Sequence, residues 1–156
     1  MPSGIHAREW ISPASVTYIL KELVENRAGN TWSHNIEFHI VPVLNPDGYE
    51  YTHTDDRLWR KNRRNPELGE CSGTDLNRNF DFHWGGQGTS TDPCEEIYTG
   101  TSAFSEPETL AVKDYLASKK GNLKVINISF RQKLKLKTSA FILNFKTIMG
   151  RSENYD

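Results

Sequence analysis

From Tyr49 to about Thr101 the sequence carries few regular signals and many Gly, Asn, Asp and Thr residues. An irregular stretch that long inside a compact domain is usually functional, or else it hides an element that periodicity does not reveal. It is flanked by two more regular units. On its N-terminal side, Ser12-Pro13 offers a hydroxyl N-cap followed by Pro at the first helical position. Val16, Ile19, Leu20, Leu23 and Val24 then recur at helical spacing, which predicts an amphipathic helix over 13–26, ended by Ala28-Gly29-Asn30. Ile36 to Val43 begins by alternating and ends apolar, the pattern of a strand buried toward its end, with Pro42 marking an edge or a bulge. It runs into the turn signature Leu44-Asn45-Pro46-Asp47-Gly48. Beyond the irregular stretch, Ser105 and Glu108 read as a capping box ahead of Leu110, Val112, Tyr115 and Leu116, a helix reaching about Lys119. After Gly121-Asn122, the run 123–129 reads as a buried strand. Strand, long loop, helix, strand is an α/β pattern.

A chain of 156 residues holds one domain with a real core and is too short for two. Its 11% aromatic content speaks against disorder, and a net charge of −1 gives no global pull toward nucleic acid or anionic membranes. No apolar run reaches the roughly 18 residues a bilayer span needs. Met1-Pro2-Ser3-Gly4 lacks the basic start and apolar stretch of a signal peptide. Taken literally, that describes a cytosolic protein. Cys71 and Cys94 enclose a segment with little apolar material. A bridge between them would remove loop entropy worth about 3 kcal/mol and would require an oxidising compartment; two free thiols are the alternative.

Three stretches carry chemistry. In Gly4–Ser12, His6 and Glu9 stand three residues apart in a Gly-led turn, and both are ordinary Zn²⁺ ligands. Spacing alone equally fits a surface loop, and His34 and Glu37 repeat it at a strand entry, where an offset of three splits the side chains between faces. Residues 55–64 form a cationic patch around Trp59. It fits an anion pocket in which Arg stabilises an oxyanion, a nucleic-acid contact, or a solvated loop paired to Asp55, Asp56 and Glu67. Asn77 and Arg78 offer an amide and a guanidinium that can share one carboxylate.

Together these stretches resemble the zinc metallocarboxypeptidases of the pancreatic carboxypeptidase A/B type. The resemblance rests on G-I-H-A-R-E-W-I-S-P-A at 4–14, N-P-D-G-Y at 45–49, R-L-W-R-K-N-R at 57–63, D-L-N-R-N-F-D at 75–81, the cysteine pair, and S-E-P-E-T at 105–109. It implies a zinc-dependent hydrolase that removes C-terminal residues from peptides and proteins, secreted and monomeric, with neither nucleic acid nor membrane as partner. His6 and Glu9 match the first two ligands of a single zinc ion. Arg60 matches the arginine that polarises the scissile carbonyl, and Asn77 and Arg78 match the grip on the substrate's free carboxylate. Arg8 and Arg57 match secondary arginines along the peptide's approach, and Cys71–Cys94 matches the family's disulfide. The implied fold is an α/β/α sandwich around a mixed β-sheet.

The sequence departs from the family pattern near its end. The third zinc ligand is a His in a stretch resembling S-I-H-S-Y-S-Q, and here the equivalent run is Asn127-Ile128-Ser129-Phe130-Arg131-Gln132. The family's catalytic Glu and specificity pocket lie beyond the region matched. The expectation is therefore a partial carboxypeptidase-like domain over 1–130, incomplete at both ends, followed by a divergent tail over 131–156. Such a piece is expected to be inactive alone. A non-catalytic module that binds peptide C-termini through Asn77, Arg78 and Arg60 is the alternative.

Overall fold

A computed structural model describes residues 2–26, 29, 36–65 and 71–119. Among them are three α-helices: α1 (Ile11–Glu25), α2 (Pro46–Thr54) and α3 (Pro107–Ser118). A single 3₁₀ turn spans Leu76–Arg78. The expected strand over 123–129, the tail over 131–156 and the run that would carry a third ligand lie outside the described residues.

Helix α1 is where the periodicity predicts it, but it starts two residues earlier, and Ser12 is not its cap. Trp10 occupies the N-cap position without capping the helix through its side chain, which donates from Nε1 to Thr52 Oγ1 at 2.8 Å. The Ser12 hydroxyl instead lies 2.5 Å from Ser3 Oγ and accepts from the Gly4 N–H at 3.3 Å, tying the helix to the segment before it. Pro13 is tolerated inside the first turn because the amide it lacks would have had no intrahelical acceptor. Of the predicted apolar stripe only Val16 is fully buried, while Val24 is 68% exposed.

The segment expected to be a strand over 36–43 does not form one among the described residues. It makes a single parallel bridge, Pro2 with Val41. Hydrogen bonds from Ser3 N to Val41 O (2.9 Å) and from Leu44 N to Ser3 O (2.8 Å) extend that contact into Leu44 and Asn45, which are buried. Pairing partners are a tertiary property, so an alternating pattern alone could not supply a ladder.

The Asn45–Gly48 turn is the start of helix α2, nine residues long, inside the stretch expected to be irregular. Asn45 Oδ1 accepts from Gly48 N at 3.0 Å, Pro46 fills the first turn and Asp47 faces its positive end. The same residues that mark a turn also start a helix. Asn45 Nδ2 donates to Lys61 O (3.0 Å) and Ile5 O (3.3 Å), so this buried cap pins three segments together. Gly48 is obligatory there, since a Cβ would meet the Asn45 side chain and Lys61 O at 2.6 Å.

The capping box expected ahead of α3 is also absent. Glu106 takes the N-cap position, with Pro107 following. Ser105 Oγ donates to Glu106 Oε1 (2.7 Å), and the Glu108 carboxylate accepts from Asn62 Nδ2 at 3.3–3.4 Å. Burial holds the Glu108 carboxyl above the ordinary carboxylate range.

Among the described residues the apolar cluster is Ile5, Leu44 and Leu76, with Phe80 and Val112 packed against it. Around it sits a buried polar lattice whose hub is Asn79. Its Nδ2 donates to Thr99 O (2.8 Å), Ser102 O (3.0 Å) and Ser105 Oγ (2.8 Å). Its Oδ1 accepts from Glu106 N (3.2 Å) and Thr109 Oγ1 (2.6 Å). Asn79→Ala strands these buried partners together, and is expected to cost about 3 kcal/mol or more, read as a lower urea midpoint. A midpoint within experimental scatter of the parent would contradict the hub assignment.

Candidate metal centre

The turn after Gly4, closed by a Glu9 N to His6 O hydrogen bond of 3.2 Å, brings the two predicted ligands onto one point. His6 Nδ1 lies 2.8 Å from Glu9 Oε1, with both side chains largely shielded from solvent. The other imidazole nitrogen, Nε2, is 3.2 Å from Asp75 Oδ1. Carboxylates at both ring nitrogens let the protonated imidazole donate to Glu9 and to Asp75, and a metal ion entering between His6 and Glu9 would take the place of the Nδ1 proton. That donor set fits a Zn²⁺ ion: an imidazole nitrogen and a carboxylate oxygen facing each other, with a carboxylate orienting the imidazole from behind. Among the described residues no third His, Cys, Asp or Glu completes a metal cluster. His34, the other His of matching spacing, lies outside the described residues.

Asp75 is the residue the sequence reading missed. It is fully buried, and it caps the 3₁₀ turn by accepting from Asn77 N at 3.0 Å. Its Oδ2 accepts from Arg60 Nε (3.1 Å) and Nη2 (2.8 Å). One carboxylate therefore holds both the imidazole and the predicted catalytic guanidinium. Its sequence signal was its place at the head of the Asp75-Leu76-Asn77-Arg78 turn, an N-cap position that Asp favours. Burial pushes the Asp75 carboxyl up, but the hydrogen bond and charge of His6, then those of Arg60, bring it below the usual carboxylate range. Burial pulls the His6 imidazole down. Hydrogen bonds to Asp75 and Glu9 and the Asp75 charge outweigh that, leaving it above its ordinary value.

Asn77 and Arg78 adjoin on the 3₁₀ turn, with Asn77 exposed and Arg78 Nε donating to Gly88 O at 3.0 Å. Arg8 grips Glu96 with both Nη atoms, at 2.7 and 3.1 Å, and the Arg8 hydrogen bond draws that carboxyl below its usual range. Arg57 stacks 3.8 Å over the Trp10 ring and donates to Arg8 O at 2.9 Å. Cys71 and Cys94 are bonded, closing the loop that carries Asp75, Asn77 and Arg78. The cationic patch is not a uniform solvated face. Arg60 turns to Asp75, Lys61 to Pro93 O (2.6 Å) and Arg64 to Glu106 (3.0 Å).

Residues 1–134 match the family model described as zinc carboxypeptidase. The chain belongs to the zinc carboxypeptidase family. This carboxypeptidase-family chain is 53% identical over 125 residues to a zinc carboxypeptidase of Simulium vittatum, covering 79% of this chain and 41% of the relative. It is 50% identical over 126 residues to carboxypeptidase B of Astacus astacus, again 41% of that protein against 78% of this one. The chain thus spans about two fifths of the relatives' length. Among solved structures it resembles bovine thrombin-activatable fibrinolysis inhibitor in complex with tick carboxypeptidase inhibitor, with a TM-score of 0.71 and 50% identity, covering 75% of this chain and 40% of that one. It also resembles carboxypeptidase A from Helicoverpa armigera, with a TM-score of 0.72 and 41% identity, covering 76% and 29%. The carboxypeptidase fold of these neighbours agrees with the α/β class expected from the sequence.

The buried triad gives the metal-free chain a pH signature. Stability drawn from the raised His6 value is complete below about pH 6.5 and is lost as pH climbs through its folded-state pKa. Stability drawn from the lowered Asp75 value is complete above about pH 4 and is lost as pH falls through its folded-state pKa. With chelator present, urea midpoints are expected to peak between those limits, and His6→Gln is expected to flatten the alkaline decline. An identical profile in that variant would contradict the pairing.

Proposed function

We propose that this chain is the metal-binding part of a zinc-dependent carboxypeptidase, which hydrolyses the C-terminal peptide bond of peptides and proteins. The observation that carries this reading is the contact of His6 Nδ1 with Glu9 Oε1 while Asp75 holds Nε2. His6 and Glu9 would hold one Zn²⁺ ion, with a third protein ligand from outside the described residues. Bound there, the ion supplies Lewis-acid polarisation of a carbonyl and a lowered pKa for bound water.

The other roles belong to this chain's own side chains. Arg60, braced by Asp75 and only 14% exposed, stabilises negative charge developing on the scissile carbonyl oxygen, an effect worth several kcal/mol in a dry site. Asn77 and Arg78 grip the substrate's terminal carboxylate, which confines cleavage to the last peptide bond. Arg8 and Arg57 line the peptide's approach, Arg8 already neutralised by Glu96. We assign the catalytic-type domain to residues 1–130, as part of an α/β/α sandwich with a mixed sheet, and the divergent tail to 131–156. Secretion agrees with the Cys71–Cys94 bridge, which an oxidising compartment sustains. The working form is read as a monomer.

The second reading, a non-catalytic module that captures peptide C-termini, draws on the lack of a third donor among the described residues. Two protein ligands make a weak zinc site. One experiment separates the readings: a zinc-loaded chain is mixed with an N-blocked dipeptide, and both binding and release of the terminal amino acid are followed. The 156-residue chain is expected to bind the free-carboxylate peptide about tenfold more tightly than its C-terminal amide, without turnover. Release that a chelator abolishes would establish hydrolysis by this chain. Equal affinity for acid and amide would remove the C-terminal grip from both readings.

A further inference from the structure

One cavity of about 430 Å³ has Arg60 in its wall but none of His6, Glu9, Asn77 or Arg78. Its other wall carries Arg63, whose guanidinium lies against two aromatic rings, 3.7 Å from the Tyr51 centroid and 4.6 Å from the Trp59 centroid. Those rings are themselves locked edge-to-face, at 5.3 Å and 76°, and Trp59 Nε1 is fixed on Asn62 O. A cation–π contact leaves the N–H donor fork of a guanidinium without a hydrogen-bond acceptor and so available to a ligand. Among the described residues that fork meets no carboxylate and no hydrogen-bond acceptor.

The two carboxylates in the same wall are already engaged. Glu96 is held by both Nη atoms of Arg8, and Asp56 Oδ1 accepts from Leu58 N at 2.9 Å. Lys61, also in the wall, is buried with Nζ on Pro93 O. Arg60 spends Nε and Nη2 on Asp75. Among the described residues the cavity therefore offers the Arg63 guanidinium with no anionic partner, with Ser72 also in the lining.

We infer that this cavity is a second oxyanion site, anchored on Arg63 and separate from the Asn77–Arg78 pair. Its ligand is a planar or tetrahedral oxyanion, either the carboxylate of an acidic side chain or a free phosphate. Contact with the two rings restrains the guanidinium and so lowers the ordering cost of binding.

Calorimetric titration of the full chain tests this at constant ionic strength, with acetyl-Glu-Glu-amide in one arm and inorganic pyrophosphate in the other. Neither probe has a free C-terminal peptide carboxylate and neither needs metal, so the result stands apart from the carboxypeptidase reading. Binding in at least one arm is expected, weakened about tenfold or more by Arg63→Gln and unchanged by Arg78→Gln. Peptide binding alone would assign the site to acidic side chains, and pyrophosphate binding alone to phosphate; either supports the oxyanion site. Arg63→Lys keeps the positive charge but loses the fork, and its expected weakening covers the case in which Gln disturbs the fold. No binding in either arm, parent-like affinity in Arg63→Lys, or loss of binding in Arg78→Gln would overturn the proposal.

Discussion

Asp75 is the point on which the described structure turns. A fully buried carboxylate is expensive to take out of water, and here the cost is met by donors converging from separate parts of the chain. His6 comes from the N-terminal turn, Arg60 from the segment after α2, and Asn77 N from the turn that Asp75 itself caps. Removing any of these would leave buried charge uncompensated, so the arrangement is mutually enforcing. The same contacts set the chemistry: they orient the imidazole ring and hold the Arg60 guanidinium beside it.

Asp75 is in turn fixed by polar rather than apolar packing. Asn62 Oδ1 accepts from Thr74 N at 2.7 Å, while Asn62 Nδ2 donates to the buried Glu106 carboxylate at 2.7 Å. Gly73 makes this approach feasible, since at its φ of +82° a Cβ would sit 2.3 Å from Asn62 O. Among the described residues the apolar cluster at this point is Ile5, Leu44 and Leu76, and directed hydrogen bonds, which tolerate little change of side-chain shape, add to its definition.

What could be read from the sequence follows from whether a feature is local. Helices α1 and α3 were readable because periodicity is a property of neighbouring residues, and their true caps were not, because Ser12 and Ser105 found tertiary partners instead. Helix α2 was hidden because Asn-Pro-Asp-Gly serves turns and helix starts equally well. Among the described residues the 36–43 segment pairs through the Pro2–Val41 bridge, a partnership no local pattern can name. Family likeness picked out His6, Glu9, Arg60, Asn77 and Arg78 as residue types, while Asp75, which acts through its neighbours, went unassigned.

The contact between His6 and Asp75 joins residues 69 positions apart. Loop-closure entropy makes contacts of that span late arrivals in folding. His6 and Glu9 are near neighbours from the outset, yet the imidazole is oriented only when the segment carrying Asp75 has docked. During synthesis, a nascent chain would carry His6 and Glu9 for some 70 residues before the group that aims them emerges. A properly posed His6–Glu9 pair thus waits on docking of the Asp75 segment, and a metal ion taken up there would report on folding rather than precede it.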